Sequence, residues 1–456
     1  MIIHNTFGGE DQEFVPEHPG RVHMFVCGPT VYDDSHIGHA RTNIFFDVMV
    51  KYLRARGYSV FYLQNITDID DKIIKRANEE GKKYSDISDY YFRKYLSVMK
   101  SLRIDSINYY ARASLYIDEI IGQIKRIMEA GYAYETADGV YFKVRKFSDY
   151  GKLSGQNMDE IRANARGTIN EEKEYPEDFA LWKKMKPGEP YWESPWGRGR
   201  PGWHIEDTAI TEAYFGTKYD IHGGGSDLIF PHHEAEIAQM RSISGEKYLA
   251  HYWIHTGMVN INSEKMSKSL KNFIKTADVL ERYRPEVLRL AMVNSNYNTV
   301  IDYSEQLMEE SRNSVEKINI LYRKLKDIGK TSGVYEVKSK EIIHKLNEIM
   351  DRNFDTRSLI RELLSFVSDL NKNLDNMGSE SAVEATNVLE YVDSFLCILY
   401  SSNTDADKII KMALDVRNIA RKEKNYQISD YIRQKLQENN IYIEDNGDKT
   451  TYWSRS

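Results

Sequence analysis

Two short apolar runs, VHMFVC at 22–27 and YSVFYLQNI at 58–66, bracket a loop, GPTVYDDSHIGHA, that turns into a helical stretch ending in FFDVMVKYLRARG, with Gly57 before the second run. Strand, loop, helix and strand in that order form a β-α-β unit, and such units close as right-handed crossovers between parallel strands. The chain is thereby committed to an α/β domain of nucleotide-binding type at its start. At 456 residues it is too long for a single core, so further packed units must follow.

The sheet is interrupted and then resumed. Residues 83–130 read as mostly helical, with apolar positions of YIDEIIGQIKRIMEAG three and four apart, and YAYETADGVYFKV alternates like a hairpin around Asp138 and Gly139. This stretch reads as an insertion. Residues 151–200 are rich in Gly, Pro, Trp and charge; YDIHGGGSDLIFPHHEAEIAQM then returns to strand, glycine loop and helix. From about residue 304 proline and glycine almost vanish, and EESRNSVEKINILYRKLKDIG and ALDVRNIARKEKNYQISDYIRQKLQEN carry amphipathic helical patterns. That half is expected to be a helical bundle.

Composition excludes several classes. With 41% hydrophobic and 29% charged residues and a mean hydropathy of −0.59, the chain is neither disordered nor an embedded bundle. No stretch approaches the roughly 20 apolar residues of a membrane span, and MIIHNTFGGEDQEF lacks the layout of a secretory signal. Two cysteines, Cys27 and Cys397, are too few for a disulfide framework, which fits a reducing, cytoplasmic setting. A net charge of −7 provides no global basic field, so a nucleic-acid partner requires a local basic face.

Two motifs carry chemistry. His36-Ile37-Gly38-His39 falls where a strand's carboxyl end feeds a helix, the place where α/β sheets bind nucleotides. The helix start offers positive potential, the imidazoles of His36 and His39 can donate to phosphate oxygens, and Gly38 lets a flat base approach. Lys265-Met266-Ser267-Lys268-Ser269, over 200 residues downstream, places two ammonium groups beside hydroxyls, suited to following pyrophosphate as charge builds in phosphoryl transfer. Each alone also reads as a solvated surface stretch; together, in this order, they are rarely accidental.

The pair resembles the class I aminoacyl-tRNA synthetases. FVCGPTVYDDSHIGHART, NITDIDDKIIKRA, DFALWK, GRPGWHIE, GGGSDLIFPHHEAEIAQ, KMSKSLKNF and IYIED are similar to the cysteinyl members in particular. The resemblance implies a Rossmann-like parallel-sheet catalytic domain in two halves, 1–105 and 199–303, around a connective insertion at 106–198. It also implies a helical bundle at 304–400 and a small anticodon-binding domain at 401–456. The implied activity is ATP-dependent activation of cysteine to cysteinyl-adenylate, with transfer to the 3′ end of tRNA(Cys) and Mg²⁺ travelling on ATP. His36 and His39 are assigned to the α-phosphate and adenosine side, and Lys265 and Lys268 to the outer phosphates. Gly224 is assigned to close backbone approach, Asp227 to the ribose hydroxyls, and Trp203 and His204 to the amino-acid pocket.

The resemblance further implies a zinc ion gripping the substrate thiol, with Cys27, His232 and Glu236 as ligands and a second cysteine at a position where this chain has Asp207. His232 and Glu236 are four apart just after Pro231, which can place both on one helix face. Asp can ligate zinc at about 2.0–2.2 Å with the same formal charge as thiolate; the competing reading is that Asp207 abolishes tight zinc binding. Cys27 also reads as a plain core cysteine, and Cys397 as helix core. In the tail, Arg417, Arg421, Lys422, Lys424, Arg433 and Lys435 are expected to form a basic face, with Tyr426, Tyr431, Tyr452 and Trp453 as stacking surfaces for anticodon bases. A monomer or a homodimer fits equally. Two other functions stay open: a ligase passing cysteine to a small amine, and a catalytically silent RNA-binding homologue.

Overall fold

The computed structural model describes residues 1–165, 172–266, 272–329, 331–400, 405–439, 441–446 and 449–454. The chain divides into two compact units, one of residues 1–277, 297–302 and 352–354, the other of residues 278–296, 303–351 and 355–456.

In the first unit, five strands form one sheet in the spatial order Ala250–Thr256, Tyr219–Gly225, Arg21–Val26, Ser59–Ile66, Tyr109–Arg112. Every neighbouring pair is parallel. Parallel strands are covered on both faces, which is why VHMFV and VFYL are near-continuous apolar runs. Val22, Met24, Phe25, Val26, Tyr62, Leu63 and Ile66 are all fully buried. The crossover helix Ile37–Ala55 buries Ile44, Phe45, Phe46 and Met49, and Gly57, at φ 92, turns the chain back toward the second strand.

The expected hairpin at Asp138 and Gly139 is present: Ala133–Glu135 pairs antiparallel with Gly139–Phe142. Phe179–Lys184 and Gly199–Pro201 extend it to a four-stranded sheet. Ile120, Ile124 and Ile127 of helix Ile117–Glu129 join Val140, Phe142, Leu181 and Trp182 in its core. A third, small sheet holds Glu264–Lys265, Val259–Ile261 and Ile301–Tyr303 in that order.

The second unit is helical, with Pro285–Val293, Glu305–Lys326, Ser339–Met350, Thr356–Lys372 and Ser379–Leu396 as its main rods. Cys397 is buried, but it closes the helix Ser379–Leu396 in a left-handed conformation, at φ 55, instead of lying within it. The tail consists of helices Asp405–Lys422 and Tyr426–Glu438 and an antiparallel hairpin, Ile441–Asn446 with Lys449–Ser454. Leu414, Leu436 and Ile443 form its small core.

Candidate active site

The carboxyl ends of the parallel strands deliver the candidate residues. Val26 leads into Cys27, Ile66 follows Asn65, and the strand Tyr219–Gly225 ends in the glycine run. His36 stands at the start of helix Ile37–Ala55 in extended conformation and caps it: its Nδ1 accepts from the amides of Gly38 at 3.1 Å and His39 at 3.3 Å. A ring nitrogen that accepts N–H bonds carries no proton, so the His36 proton sits on Nε2 as a donor. The His39 ring stacks on it with centroids 3.7 Å apart. A side chain at Gly38 would crowd both the His36 ring and the Met266 methyl.

The segment that follows the lysine-bearing run is stitched to this helix start. Ile37 N donates to Ile274 O at 3.1 Å, Thr276 N donates to Ser35 O at 2.9 Å, and the Phe273 ring meets His36 edge-on at 4.9 Å. Further along the same helix, Arg41 gathers the carbonyls of Met258 at 2.8 Å, Tyr297 at 3.2 Å and Thr299 at 2.5 Å. Burial draws its guanidinium down to about 10, so it remains cationic at neutral pH. Lys265 lies on the small strand Glu264–Lys265; Lys268 lies outside the described residues.

Cys27, Asp207, His232 and Glu236 converge, their donor atoms all within 4.8 Å of one another. Cys27 Sγ is 3.3 Å from Asp207 Oδ2 and 4.0 Å from Glu236 Oε1, and His232 Nε2 is 3.0 Å from each of those oxygens. Tetrahedral zinc with ligands at 2.0–2.3 Å separates them by roughly 3.3–3.8 Å, so the four donors fit such an ion with small adjustments. Their charge fits too. Burial pushes the Cys27 thiol well up, and Glu236 and Asp207 push it further. Burial lifts the Glu236 carboxyl to about 7 against the pull of His232. His232 would be depressed by burial, but Glu236 and Asp207 outweigh that and raise it to about 10. A donor set that gathers protons in this way carries excess negative charge, which a dication offsets while releasing them.

The surroundings orient these groups. His232 Nδ1 lies 2.8 Å from His204 Nδ1, and the half-exposed Trp203 indole stacks on the His232 ring at 4.2 Å. Trp203 and His204 also line a cavity of about 650 Å³ together with Thr30, Lys72, Tyr150 and Phe179. Two histidines not singled out in the sequence stand against the same thiol: His233 Nε2 at 3.0 Å and His222 Nε2 at 3.5 Å from Cys27 Sγ. With Cys27 and Glu236 they form a second, overlapping donor group. His233 continues to His255 at 2.7 Å and His255 to Thr6 at 2.9 Å, while His222 Nδ1 meets the Tyr219 hydroxyl at 2.7 Å. The doublet His232-His233 was the available signal, since neighbouring residues at a helix start can face two different partners.

Gly224 is buried, and a Cβ there would press on the His233 ring; its missing side chain makes room for that histidine. Asp227 is exposed in a short turn at 226–228. The basic face of the tail is smaller than expected. Arg417 is 2% exposed and bound through both terminal nitrogens to Asp445, at 2.8 and 2.7 Å, so its charge is spent inside the fold. Arg421 shares that carboxylate at 3.0 Å, and Lys435 pairs with Glu438. Lys422, Lys424 and Arg433 are not buried, and Tyr426 and Tyr431 are each 60% exposed. The side chains of Tyr452 and Trp453 lie outside the described set.

Residues 13–313 match a family model described as the tRNA synthetases class I (C) catalytic domain. A cysteine–tRNA ligase of Thermoplasma volcanium is 57% identical over 453 residues, spanning 99% of this chain and all of the relative. That of Thermococcus gammatolerans is 43% identical over 474 residues, spanning 99% and 98%. Among solved structures, Mycobacterium tuberculosis methionyl-tRNA synthetase in complex with methionyl-adenylate aligns with a TM-score of 0.60 at 13% identity, over 83% of this chain and 90% of that one. The Agrobacterium radiobacter K84 agnB2 LeuRS in a ternary complex with tRNA and LeuAMS aligns with a TM-score of 0.62 at 10% identity, over 85% of each. These two show a shared fold.

Proposed function

Since this chain belongs to the class I aminoacyl-tRNA synthetases, among the cysteine–tRNA ligases, we propose that its sheet edge activates cysteine with ATP and passes the cysteinyl group to the terminal ribose of tRNA(Cys). The observation that supports this reading is the pairing of Ile37 with Ile274, which brings the flanks of the two sequence motifs together.

Adenylation needs no protein nucleophile: a carboxylate oxygen of cysteine attacks the α-phosphorus, the bond to the bridging oxygen breaks, and pyrophosphate leaves. A ribose hydroxyl of tRNA then attacks the acyl carbon and AMP departs. The chain's share is alignment and charge stabilisation. His36, with its proton on Nε2, donates to an α-phosphate oxygen, and the start of helix Ile37–Ala55 adds positive potential. His39 borders the adenosine, Lys265 and Lys268 neutralise the outer phosphates with Mg²⁺ carried on ATP, and Asp227 accepts from the ribose. Cys27, Asp207, His232 and Glu236 hold zinc, which supplies a thiophilic centre favouring the substrate sulfur over the serine hydroxyl. Trp203, stacked on His232, and His204 wall the pocket.

Residues 106–198 form the connective insertion between the catalytic segments 1–105 and 199–303. Residues 304–400 are the bundle and 401–456 the anticodon reader. No described helix is long and apolar enough to cross a membrane, and the reading places the enzyme in the cytoplasm, as a monomer or homodimer.

The test is cysteine-dependent ATP–pyrophosphate exchange without tRNA, followed by charging of tRNA(Cys), with serine as the competing substrate. Exchange without charging, together with cysteine transfer to a small amine, would favour the paralogue. Absence of exchange would favour the silent homologue.

A further inference from the structure

The side chain that fixes Asp207 is Asn65, which is not itself a donor of the candidate metal centre. Asn65 is 1% exposed, near the end of the strand Ser59–Ile66. Its Oδ1 accepts from the backbone N–H of Gly28 at 2.5 Å, and its Nδ2 donates to Asp207 Oδ1 at 2.5 Å. The amide cannot be reversed: a backbone N–H only donates and a carboxylate accepts, so oxygen must face Gly28 and nitrogen must face Asp207. The second Nδ2 hydrogen has Thr67 Oγ1 at 3.5 Å. One side chain therefore ties the residue following Cys27 to Asp207, joining two of the four donors through a single planar group. The backbone is equally close, since a Cβ at Gly28 would overlap the Asn65 carbonyl oxygen.

This arrangement divides the two oxygens of Asp207. Oδ1 is occupied by Asn65, and only Oδ2 turns toward Cys27 Sγ, at 3.3 Å, and His232 Nε2, at 3.0 Å. A carboxylate with both oxygens available can chelate, raising the coordination number and opening the angles of a tetrahedral set. A thiolate has one donor atom and cannot. We propose that Asn65 is a positioning residue that makes Asp207 a one-atom, singly charged ligand, so that a carboxylate does at this centre what a thiolate would do. Groups that hold a ligand in this way are typically worth 10- to 100-fold in metal affinity.

The inference rests on the zinc reading above, and the experiment separates the two. Full-length wild type, Asn65→Ala, Asp207→Cys and the double variant are purified without chelator. Zn²⁺ affinity is measured by chelator competition, and the visible spectrum is recorded with Co²⁺ in place of zinc. Asn65→Ala is expected to weaken Zn²⁺ about 10- to 100-fold and to weaken the intense four-coordinate Co²⁺ bands as the freed carboxylate chelates. In the Asp207→Cys background the same change is expected to cost much less, because a thiolate has no second atom to restrain. Should Asn65→Ala fail to show a native circular dichroism spectrum, Asn65→Ser, which keeps an acceptor for Gly28, takes its place in both backgrounds. Unchanged affinity and spectrum, or an equal loss in the Cys background, would overturn the role of Asn65 alone. A wild type that binds neither Zn²⁺ nor Co²⁺ would overturn the zinc reading and this inference with it.

Discussion

The backbone amide of Ile37 donates to the carbonyl of Ile274 at 3.1 Å, joining residues 237 positions apart. The bond sits in the first turn after His36, so the histidine motif and the segment that follows the lysine run share a strand-like pairing, seen also in the bridge between His36 and Lys275. Separation in sequence is thereby removed at the helix start that His36 caps.

The helix cap made by His36 and its proposed contact to phosphate can be separated by substitution. His36→Asn keeps an acceptor suited to a helix N-cap while deleting the Nε2–H, so stability should change by less than about 0.5 kcal/mol. The pyrophosphate exchange rate should fall about 100-fold. Thermal melts and exchange assays check both; an exchange rate within a few-fold of wild type would remove His36 from the phosphate site.

Burial lowers the His255 imidazole to about 3, whereas an unfolded histidine titrates near 6.5. The unfolded state therefore takes up the proton first. The stability tied to a neutral His255 is fully present above pH 6.5 and is lost as pH falls from there toward 3. The loss is about 1.4 kcal/mol per pH unit for one such histidine. Urea midpoints at pH 7.5 and pH 5.5 should fall for wild type and fall less for His255→Asn; parallel losses would show that the acid sensitivity lies elsewhere.

Arg417 is a structural ion-pair partner of Asp445. Arg417→Ala leaves that carboxylate short of its main partner and should destabilise the tail by about 3 kcal/mol. Charging of tRNA should drop while pyrophosphate exchange persists. Arg433→Ala should leave stability within about 0.5 kcal/mol and reduce only the salt-dependent part of tRNA binding. Equal melting temperatures for Arg417→Ala and wild type would contradict the pairing.

Gly28 cannot accept a side chain, because the Asn65 carbonyl occupies the Cβ position. Gly28→Ala should cost at least about 1–3 kcal/mol and lower the zinc content as the Cys27 segment shifts. Metal analysis and a melt of the same preparation would show both, and a variant with full zinc and an unchanged melt would mean that the strand ends yield more easily than their contacts suggest.

Much of the fold was legible because its signals are local. The apolar runs at 22–27 and 58–66 and the helix between them mark a crossover by their order alone, and Asp138-Gly139 marks a hairpin. The site was legible in part. His232 and Glu236, four residues apart, meet at 3.0 Å, a proximity set by local spacing. Asn65, His222 and His255 come from three different strands, and only the lateral order of the sheet brings them to Cys27 and its neighbours. Arg417 misled for the same reason: its position in a basic run suggested solvent, while the acid that holds it lies on the terminal hairpin, 28 residues on.

Arg41 grips the carbonyls that open two strands of the small sheet, and Ile274 is held by the helix that carries Arg41. The small sheet that carries Lys265 and the segment that resumes after the lysine run are thus anchored to a single helix, so one rod sets the position of both.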